Sequence, residues 1–152
     1  MQVGRVFNVL FLCTGNSARS IIAEATLNEL GKGRFRAYSA GSHPSGKINP
    51  LVLEFLHDEG LRTDGARSKS WDEFAKPGAP AMDFVITVCD DAAEACPVFP
   101  NAAERRHWSF PDPSAVLGDA EQRFAAFASV RDAIRDRIEH ELIAEDVITG
   151  AG

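Results

Sequence analysis

The chain has 152 residues, of which 45% are hydrophobic and 25% are charged, and its formal net charge at pH 7 is -6. These values are typical of one globular domain, residues 1–152, that can bury its own core, and the negative charge argues against a uniformly basic nucleic-acid-binding protein. The apolar run at residues 6–13 is too short for a signal sequence or a membrane span, so we expect a cytoplasmic domain with no membrane segment.

The first half of the chain alternates between strand and helix patterns. Residues 6–12 are almost continuously apolar, which favours a strand buried on both faces. Apolar residues then recur at helical spacing over residues 21–30, and residues 35–40 form a second strand pattern. Residues 41–50 are rich in Gly, Pro and Ser, which predicts a loop. The Asn-Pro pair that ends this loop suits the N-cap and the first position of a second helix.

The second half continues this alternation. A short helical turn is predicted at residues 71–74, a buried strand at 83–88, a loop at 97–104 and a short fourth strand at 105–110. Residues 120–143 predict a long helix with one apolar stripe, formed by Phe124, Phe127, Val130, Ile134 and Ile138. Alternating strands and helices predict an α/β fold, a single three-layer domain with a four-stranded parallel sheet flanked by helices.

The most informative segment lies between the first strand and the first helix, and it reads Cys13-Thr14-Gly15-Asn16-Ser17-Ala18-Arg19-Ser20. A tight turn there points successive N–H groups inward and the helix N-terminus adds positive potential, so the whole segment after Cys13 is predicted to bind a tetrahedral oxyanion. Such surroundings favour the thiolate form of a cysteine, which makes Cys13 a candidate nucleophile. The planar fork of Arg19 can clamp two anion oxygens, and Ser20 can donate a hydrogen bond to the sulfur.

A purely structural interpretation of this cysteine competes with the catalytic one. A cysteine at the end of a strand is usually a small buried hydrophobic residue, and an arginine six positions later occurs often by chance. The catalytic interpretation is favoured because Cys13 and Arg19 span a glycine-containing turn from a strand to a helix.

The other two cysteines, Cys89 and Cys96, follow the third strand and are separated by six residues. If those residues form a helix, the two sulfur atoms start about 10 Å apart, too far for a disulfide without a local rearrangement. This spacing suits a redox switch better than a fixed disulfide. Zinc binding is a rival interpretation without a C-x2-C pair or a neighbouring His pair to support it, and two inert buried thiols are a further alternative.

The stretch from Cys13 to Arg19 resembles the C-x5-R signature of the cysteine phosphatases, and its N-terminal position resembles the low-molecular-weight branch of that family. The late segment Phe110-Pro111-Asp112-Pro113 resembles the Asp-Pro loop of the same branch. The resemblance implies the low-molecular-weight phosphatase fold, with Asp112 as the general acid that protonates the leaving oxygen. Without the resemblance, an Asp between two prolines is more often a solvated turn residue.

Three features match the three-cysteine arsenate reductases of this superfamily more closely than any phosphatase. These are the C-T-G-N-S loop at Cys13, the C-x6-C-P segment that begins at Cys89, and Trp108 before the Asp-Pro pair. In addition, Asp112-Pro113 is followed by Ser114 and Ala115, where phosphatases carry aromatic residues that hold a phenol ring. The sequence therefore resembles an arsenate-reducing enzyme in which phosphate and sulfate are competing oxyanions.

The resemblance also implies a reaction cycle. Cys13 attacks arsenate while Arg19 and the loop amides hold the oxyanion, and Asp112 protonates the departing hydroxide. Cys89 then attacks Cys13 and releases arsenite, and Cys96 attacks Cys89 to form a Cys89–Cys96 disulfide. Thioredoxin is the implied reductant, with glutaredoxin and glutathione left open. We expect a monomer without cofactor or metal.

Two further hypotheses remain open at this stage. The same loop could hydrolyse phosphate monoesters through a Cys-phosphate intermediate, with Cys89 and Cys96 uninvolved in turnover. The chain could also be a non-enzymatic module that binds anions or senses oxidants. A Cys89→Ser variant separates the first alternative from arsenate reduction, because only the reductase would stall.

Overall fold

The computed structural model describes residues 6–16, 18–63, 65–89, 102–113 and 116–143. Within these residues, four parallel strands form one sheet in the order β2-β1-β3-β4. Their bounds are Phe7–Cys13 for β1, Phe35–Gly41 for β2, Met82–Thr87 for β3 and Ala102–His107 for β4. The predicted α/β class and the four-stranded parallel sheet are confirmed.

The first strand is central because apolar side chains cover both of its faces. Val9, Leu10, Phe11 and Leu12 are all 0% exposed, and β1 pairs with β2 on one side and with β3 on the other. A continuous apolar run is the pattern that a parallel strand covered on both faces requires. The carboxyl end of β1 therefore opens at the middle of the sheet edge, where ligands bind in open α/β sheets.

The helices are α1 (Arg19–Leu30), α2 (Pro50–Asp58), α3 (Asp72–Ala75) and α4 (Ala120–Ile138). The first, second and fourth pack on the sheet face that carries Val9 and Phe11, whereas the short α3 packs on the face of Leu10 and Leu12. Helices thus flank both faces, as the three-layer prediction requires. Among the residues that the structure describes, none of the helices is long and apolar enough to cross a membrane.

Local sequence signals predict the start of α2 correctly. The side chain of Asn49 accepts a hydrogen bond from the Leu51 N–H at 2.9 Å, and Pro50 occupies the first helical position of α2. Both roles satisfy or remove backbone donors that have no partner inside the helix. The long final helix is also present, but α4 ends at Ile138 and the chain continues as a π-helical turn, Glu139–Ile143, that buries Leu142.

The predicted bounds of the fourth strand were wrong. The prediction placed a loop at residues 97–104 and the strand at 105–110, whereas β4 spans Ala102–His107 and residues 97–101 lie outside the described part. The ladder ends at the pair Thr87 and His107, because β3 itself ends there. Trp108 and Phe110 are buried by packing beyond the ladder, so their apolar character misled the prediction.

Candidate active site

Cys13 is the last residue of β1, and the loop that follows it leads into α1 at Arg19. The neighbouring strand comes very close at this point, since Cys13 is paired in register with Gly41. A Cβ atom on Gly41 would lie 2.5 Å from the Thr14 carbonyl oxygen and 3.1 Å from the Asn16 backbone nitrogen. Only glycine fits here without moving the loop, so the close approach of β2 fixes where the loop lies.

Three successive carbonyl groups of the loop point away from its interior. The carbonyl oxygens of Cys13, Thr14 and Gly15 accept hydrogen bonds from the backbone N–H groups of Ser42 at 3.2 Å, His43 at 2.9 Å and Ser45 at 3.0 Å. A trans peptide places its N–H opposite its C=O, so the N–H groups that follow face the other way. These inward N–H groups are the donors that an oxyanion-binding loop needs.

The sulfur of Cys13 lies among hydrogen-bond donors. Cys13 is 3% exposed, its Sγ lies 2.9 Å from the Ser20 Oγ, and the Asn16 backbone N–H donates to it at 3.3 Å. The Ser20 oxygen already accepts a bond from Asn16 Nδ2 at 2.8 Å, which leaves the Ser20 hydrogen free to point at the sulfur. This arrangement stabilises a thiolate, the nucleophilic form of cysteine.

Behind the loop lies a partly buried carboxyl group, that of Glu24, with Lys69 near it. The Ser39 hydroxyl donates to Glu24 Oε1 and accepts from Asn16 Nδ2 at 3.0 Å. Burial raises the pKa of Glu24, with the Ser39 bond and the charges of Lys69 and Arg67 acting in the opposite direction. Burial also lowers the pKa of Lys69, and the Glu24 charge partly counters that shift.

Arg19 and the candidate acid Asp112 come together at the mouth of the loop. Arg19 Nη1 donates to the Phe110 carbonyl oxygen at 3.0 Å, and Arg19 Nη2 lies 4.0 Å from Asp112 Oδ2. The Asp112 side chain is 46% exposed and that of Arg19 is 18% exposed. A solvent-accessible carboxyl beside an anion clamp can exchange protons with water and deliver one to a leaving oxygen.

Cys89 lies beside the loop of Cys13, although the two are far apart in sequence. It follows β3, it is 4% exposed, and its Sγ lies 3.4 Å from the Thr14 Oγ1. The preceding residue, Val88, donates its N–H to the Leu12 carbonyl oxygen at 2.8 Å, which ties the end of β3 to the end of β1. Cys96 and Ser17, which the sequence also predicts to be site residues, lie outside the described residues.

The family of the chain follows from comparison with known proteins. The family described as low molecular weight phosphotyrosine protein phosphatase matches residues 8–147, which is most of the chain. The chain belongs to this family. The loop of Cys13, Arg19 and Asp112 are thus parts of a low-molecular-weight phosphatase fold rather than isolated motifs.

Within the low-molecular-weight phosphatase family, curated relatives point to one group of enzymes. An arsenate reductase from Bacillus subtilis is 36% identical over 131 residues, which cover 86% of this chain and 91% of the relative. An arsenate reductase from Oceanobacillus iheyensis is also 36% identical over 131 residues, with the same coverage of both chains.

Solved structures agree with this grouping. An arsenate reductase in a phosphate-binding state has a TM-score of 0.74 and 26% identity, covering 92% of this chain and 98% of that chain. A thioredoxin-dependent arsenate reductase from Corynebacterium glutamicum has a TM-score of 0.63 and 25% identity. The matched region covers 91% of this chain and 63% of the Corynebacterium glutamicum chain.

Sequence reasoning missed three parts of the site. The sequence pattern places Gly41 only in a loop, whereas Gly41 is the last residue of β2, and a glycine at a strand end on the ligand-binding edge is a usable signal for close backbone approach. The Phe110 carbonyl that holds Arg19, and the Ser68 hydroxyl that contacts the loop at Gly15, carry no sequence signal. Among the described residues, no group of three or more His, Cys, Asp or Glu could hold a metal ion.

Proposed function

We propose that this protein is an arsenate reductase that uses Cys13 as its nucleophile and Cys89 as the cysteine that resolves the arsenic adduct. The observation that carries the proposal is the position of Cys89, whose Sγ lies 3.4 Å from Thr14 Oγ1 in the loop of the nucleophile. Phosphate ester hydrolysis needs no second thiol there, whereas arsenate reduction needs one within reach. The curated relatives named arsenate reductase support the same activity.

The first step is an attack of the Cys13 thiolate on arsenate held by the loop amides and by Arg19. An S–As bond forms and one oxygen leaves arsenic, protonated by Asp112, so that arsenic remains in the +5 state. Donors that already point at the site stabilise the charge that develops on the oxyanion. Phosphate and sulfate are also tetrahedral oxyanions, so they compete for the loop.

The redox step follows when the Cys89 thiolate attacks the Cys13 sulfur. An S–S bond forms between Cys13 and Cys89, the S–As bond breaks, and its electron pair stays on arsenic, which leaves as arsenite. As in thiol-disulfide exchange, the attacking thiolate approaches the Cys13 sulfur in line with the S–As bond, from the side opposite the leaving arsenic. The Cys89 sulfur starts beside Oγ1 of Thr14, the residue that follows Cys13, which supports its role as the attacking thiol.

Regeneration requires a third thiol and an external dithiol. Cys96 attacks Cys89, which frees Cys13 and moves the disulfide to Cys89–Cys96, and a reductant of the thioredoxin class then reduces that bond. The similar thioredoxin-dependent enzyme of Corynebacterium glutamicum supports this choice. Such a cycle belongs in a compartment where thiols are kept reduced, so we place the protein in the cytoplasm.

The test is a single turnover of fully reduced protein with arsenate and without added thiol. We expect about one arsenite per chain, because one protein disulfide supplies the two electrons, and peptide mass mapping should locate that disulfide between Cys89 and Cys96. A Cys13→Ser variant is the control and should release none. If the reduced protein releases no arsenite, the proposal is wrong.

The Cys89→Ser variant separates reduction from hydrolysis. It retains the oxyanion loop, Arg19 and Asp112, so it should still form the Cys13 adduct but release less than about one hundredth of the wild-type arsenite, because no thiol resolves the adduct. Hydrolysis of p-nitrophenyl phosphate, if the loop supports it, should persist in this variant. Equal arsenite yields from the variant and the wild type would remove Cys89 from the cycle.

A further inference from the structure

A segment with no role in the proposed reaction contacts the loop of Cys13 on the side that faces away from the candidate site. This segment, Arg67 to Ser70, precedes α3 and runs beside β2, since the Gly41 N–H donates to the Lys69 carbonyl oxygen at 2.9 Å. Gly41 and Ser70 also form an isolated parallel bridge. The segment therefore extends the sheet at the edge where the loop lies.

Two groups of this segment bind adjacent residues of the loop. The Ser68 hydroxyl donates to the Gly15 carbonyl oxygen at 3.2 Å, and the Lys69 N–H donates to Asn16 Oδ1 at 2.8 Å. Gly15 and Asn16 form the part of the loop whose peptide N–H points at the Cys13 sulfur. Their orientation determines whether that N–H reaches the thiolate.

We infer that Ser68 is a positioning residue for the nucleophile, and this inference rests on the proposed function of Cys13. Its hydroxyl fixes the peptide between Gly15 and Asn16, because a carbonyl held outward keeps the N–H of the same peptide directed inward. That N–H is the one that lies 3.3 Å from Cys13 Sγ. Ser68 never touches the substrate and acts only through this peptide.

The Ser68 hydroxyl also joins the loop to the chain that follows β2. Its oxygen accepts a hydrogen bond from the Gly46 N–H at 3.2 Å while its hydrogen is donated to Gly15. The Gly15 carbonyl additionally accepts from the Ser45 N–H, so removal of the hydroxyl weakens the support of this carbonyl without leaving it unpaired. The Gly46 site is exposed, and water can replace the lost acceptor there.

The substitution Ser68→Ala isolates this effect because it changes no charge near the sulfur. The titratable and charged side chains around the loop stay in place: Arg19 and Asp112 at the mouth, Cys89 beside Thr14, Glu24 and Lys69 behind Asn16, and the exposed His43. A shift in the reactivity of Cys13 therefore reports the geometry of the loop.

The experiment measures the rate of Cys13 alkylation by iodoacetamide against pH, with each cysteine quantified by peptide mass. In Ser68→Ala we expect the midpoint of the Cys13 profile to move up by roughly half a pH unit, the size expected for one weakened hydrogen bond to the thiolate. We also expect kcat/KM for arsenate to fall roughly three- to tenfold, mainly through kcat. Ser68→Thr keeps the hydroxyl and should restore both values.

The matched control is Ser70→Ala, two positions along the same segment. The Ser70 hydroxyl accepts from the Asp72 N–H at 3.1 Å, so this variant loses a side-chain bond without altering the loop. A Cys13 profile in Ser68→Ala that superimposes on the wild type, or an equal shift in both variants, overturns the inference. Alkylation needs no arsenate, so failure of the inference is distinguishable from a wild type that makes no arsenite.

Discussion

Asn16 is the residue on which the candidate site depends most. Its φ of 48° lies in the left-handed region, which costs a non-glycine residue about 1 kcal/mol. Asparagine tolerates this region better than most residues, and here it is 0% exposed with all side-chain polar groups in use. Its Nδ2 donates to the hydroxyl oxygens of Ser20 and Ser39, and its Oδ1 accepts from the backbone N–H of Lys69. These bonds offset the backbone strain and orient the Ser20 hydroxyl.

The second single residue that leads to a prediction is Glu24, whose charge should lower the stability of the fold at high pH. A carboxyl whose pKa is higher in the folded chain than in the unfolded chain binds its proton more tightly when folded. The folded state therefore loses stability as pH rises from the unfolded pKa through the folded pKa. Burial raises the pKa of Glu24 in this way. We expect Glu24→Gln, which keeps the oxygen that accepts from Ser39, to raise the melting temperature at pH 8.

This gain should disappear below a pH of about 4, where Glu24 is protonated in both states. The control is Glu29→Gln on the same helix, since the Glu29 side chain is 45% exposed and lies 3.9 Å from Lys32. A lower melting temperature for Glu24→Gln at pH 8 would mean that attraction to Lys69 outweighs the effect of burial.

Among the elements, α1 follows the loop of Cys13 and also covers the outer edge of β2. Asn28 of α1 accepts a hydrogen bond from the Ala37 N–H at 2.8 Å and donates Nδ2 to the Ala37 carbonyl oxygen at 3.4 Å. An amide side chain thus takes the place of a further strand at the open edge of the sheet. Such protection also discourages edge-to-edge association of sheets.

We expect Asn28→Ala to lower the free energy of unfolding by about 1–3 kcal/mol, because the partly buried Ala37 groups lose their partners. Urea unfolding followed by circular dichroism measures the change. Asn28→Asp is a second variant that keeps an acceptor for the Ala37 N–H, loses the donor and places a negative charge beside the Ala37 carbonyl oxygen. A loss of stability in Asn28→Ala below about 0.5 kcal/mol, the range of ordinary surface substitutions, would contradict this role.

At the scale of the whole molecule, hydrogen bonds and packing join the last helical turn to the segment that leads to Asp112. Trp108 is 1% exposed, and its indole N–H donates to Glu141 Oε1 at 3.3 Å. Arg106 Nη1 donates to the Glu141 carbonyl oxygen at 2.9 Å, and the Arg137 guanidinium lies 5.2 Å from the Trp108 ring. The end of the sheet and the last helical turn should therefore unfold together.

The corresponding prediction uses Trp108→Phe. We expect a loss of about 1–3 kcal/mol, from a smaller buried side chain and a missing indole donor, within a single unfolding transition. Trp71→Phe is the control, because Trp71 is only partly buried. Urea unfolding is followed by circular dichroism rather than by tryptophan fluorescence. Each variant keeps a different one of the two tryptophans, so their fluorescence signals would report different parts of the chain. A second transition in Trp108→Phe would show that the last helix unfolds separately.

The parts of the fold that depend on neighbouring residues could be predicted from the sequence. The apolar run of β1, the Asn-Pro start of α2 and the helical stripe of α4 each reflect a local pattern of burial or capping. The spacing of Cys13 and Arg19 around a strand-to-helix turn is local in the same sense, and so is the prediction of an oxyanion loop.

The tertiary structure decided what depends on residues far apart in sequence. The extent of β4 follows from where β3 ends, which the composition of β4 cannot reveal. Ser68 meets Gly15 across 53 positions, and Arg19 meets the Phe110 carbonyl across 91. The sequence by itself therefore determined the α/β class and predicted an oxyanion-binding loop at Cys13, because local periodicity and spacing encode them. Only chain packing decided which backbone groups hold that loop and that Cys89 lies beside it, because such contacts leave no local pattern.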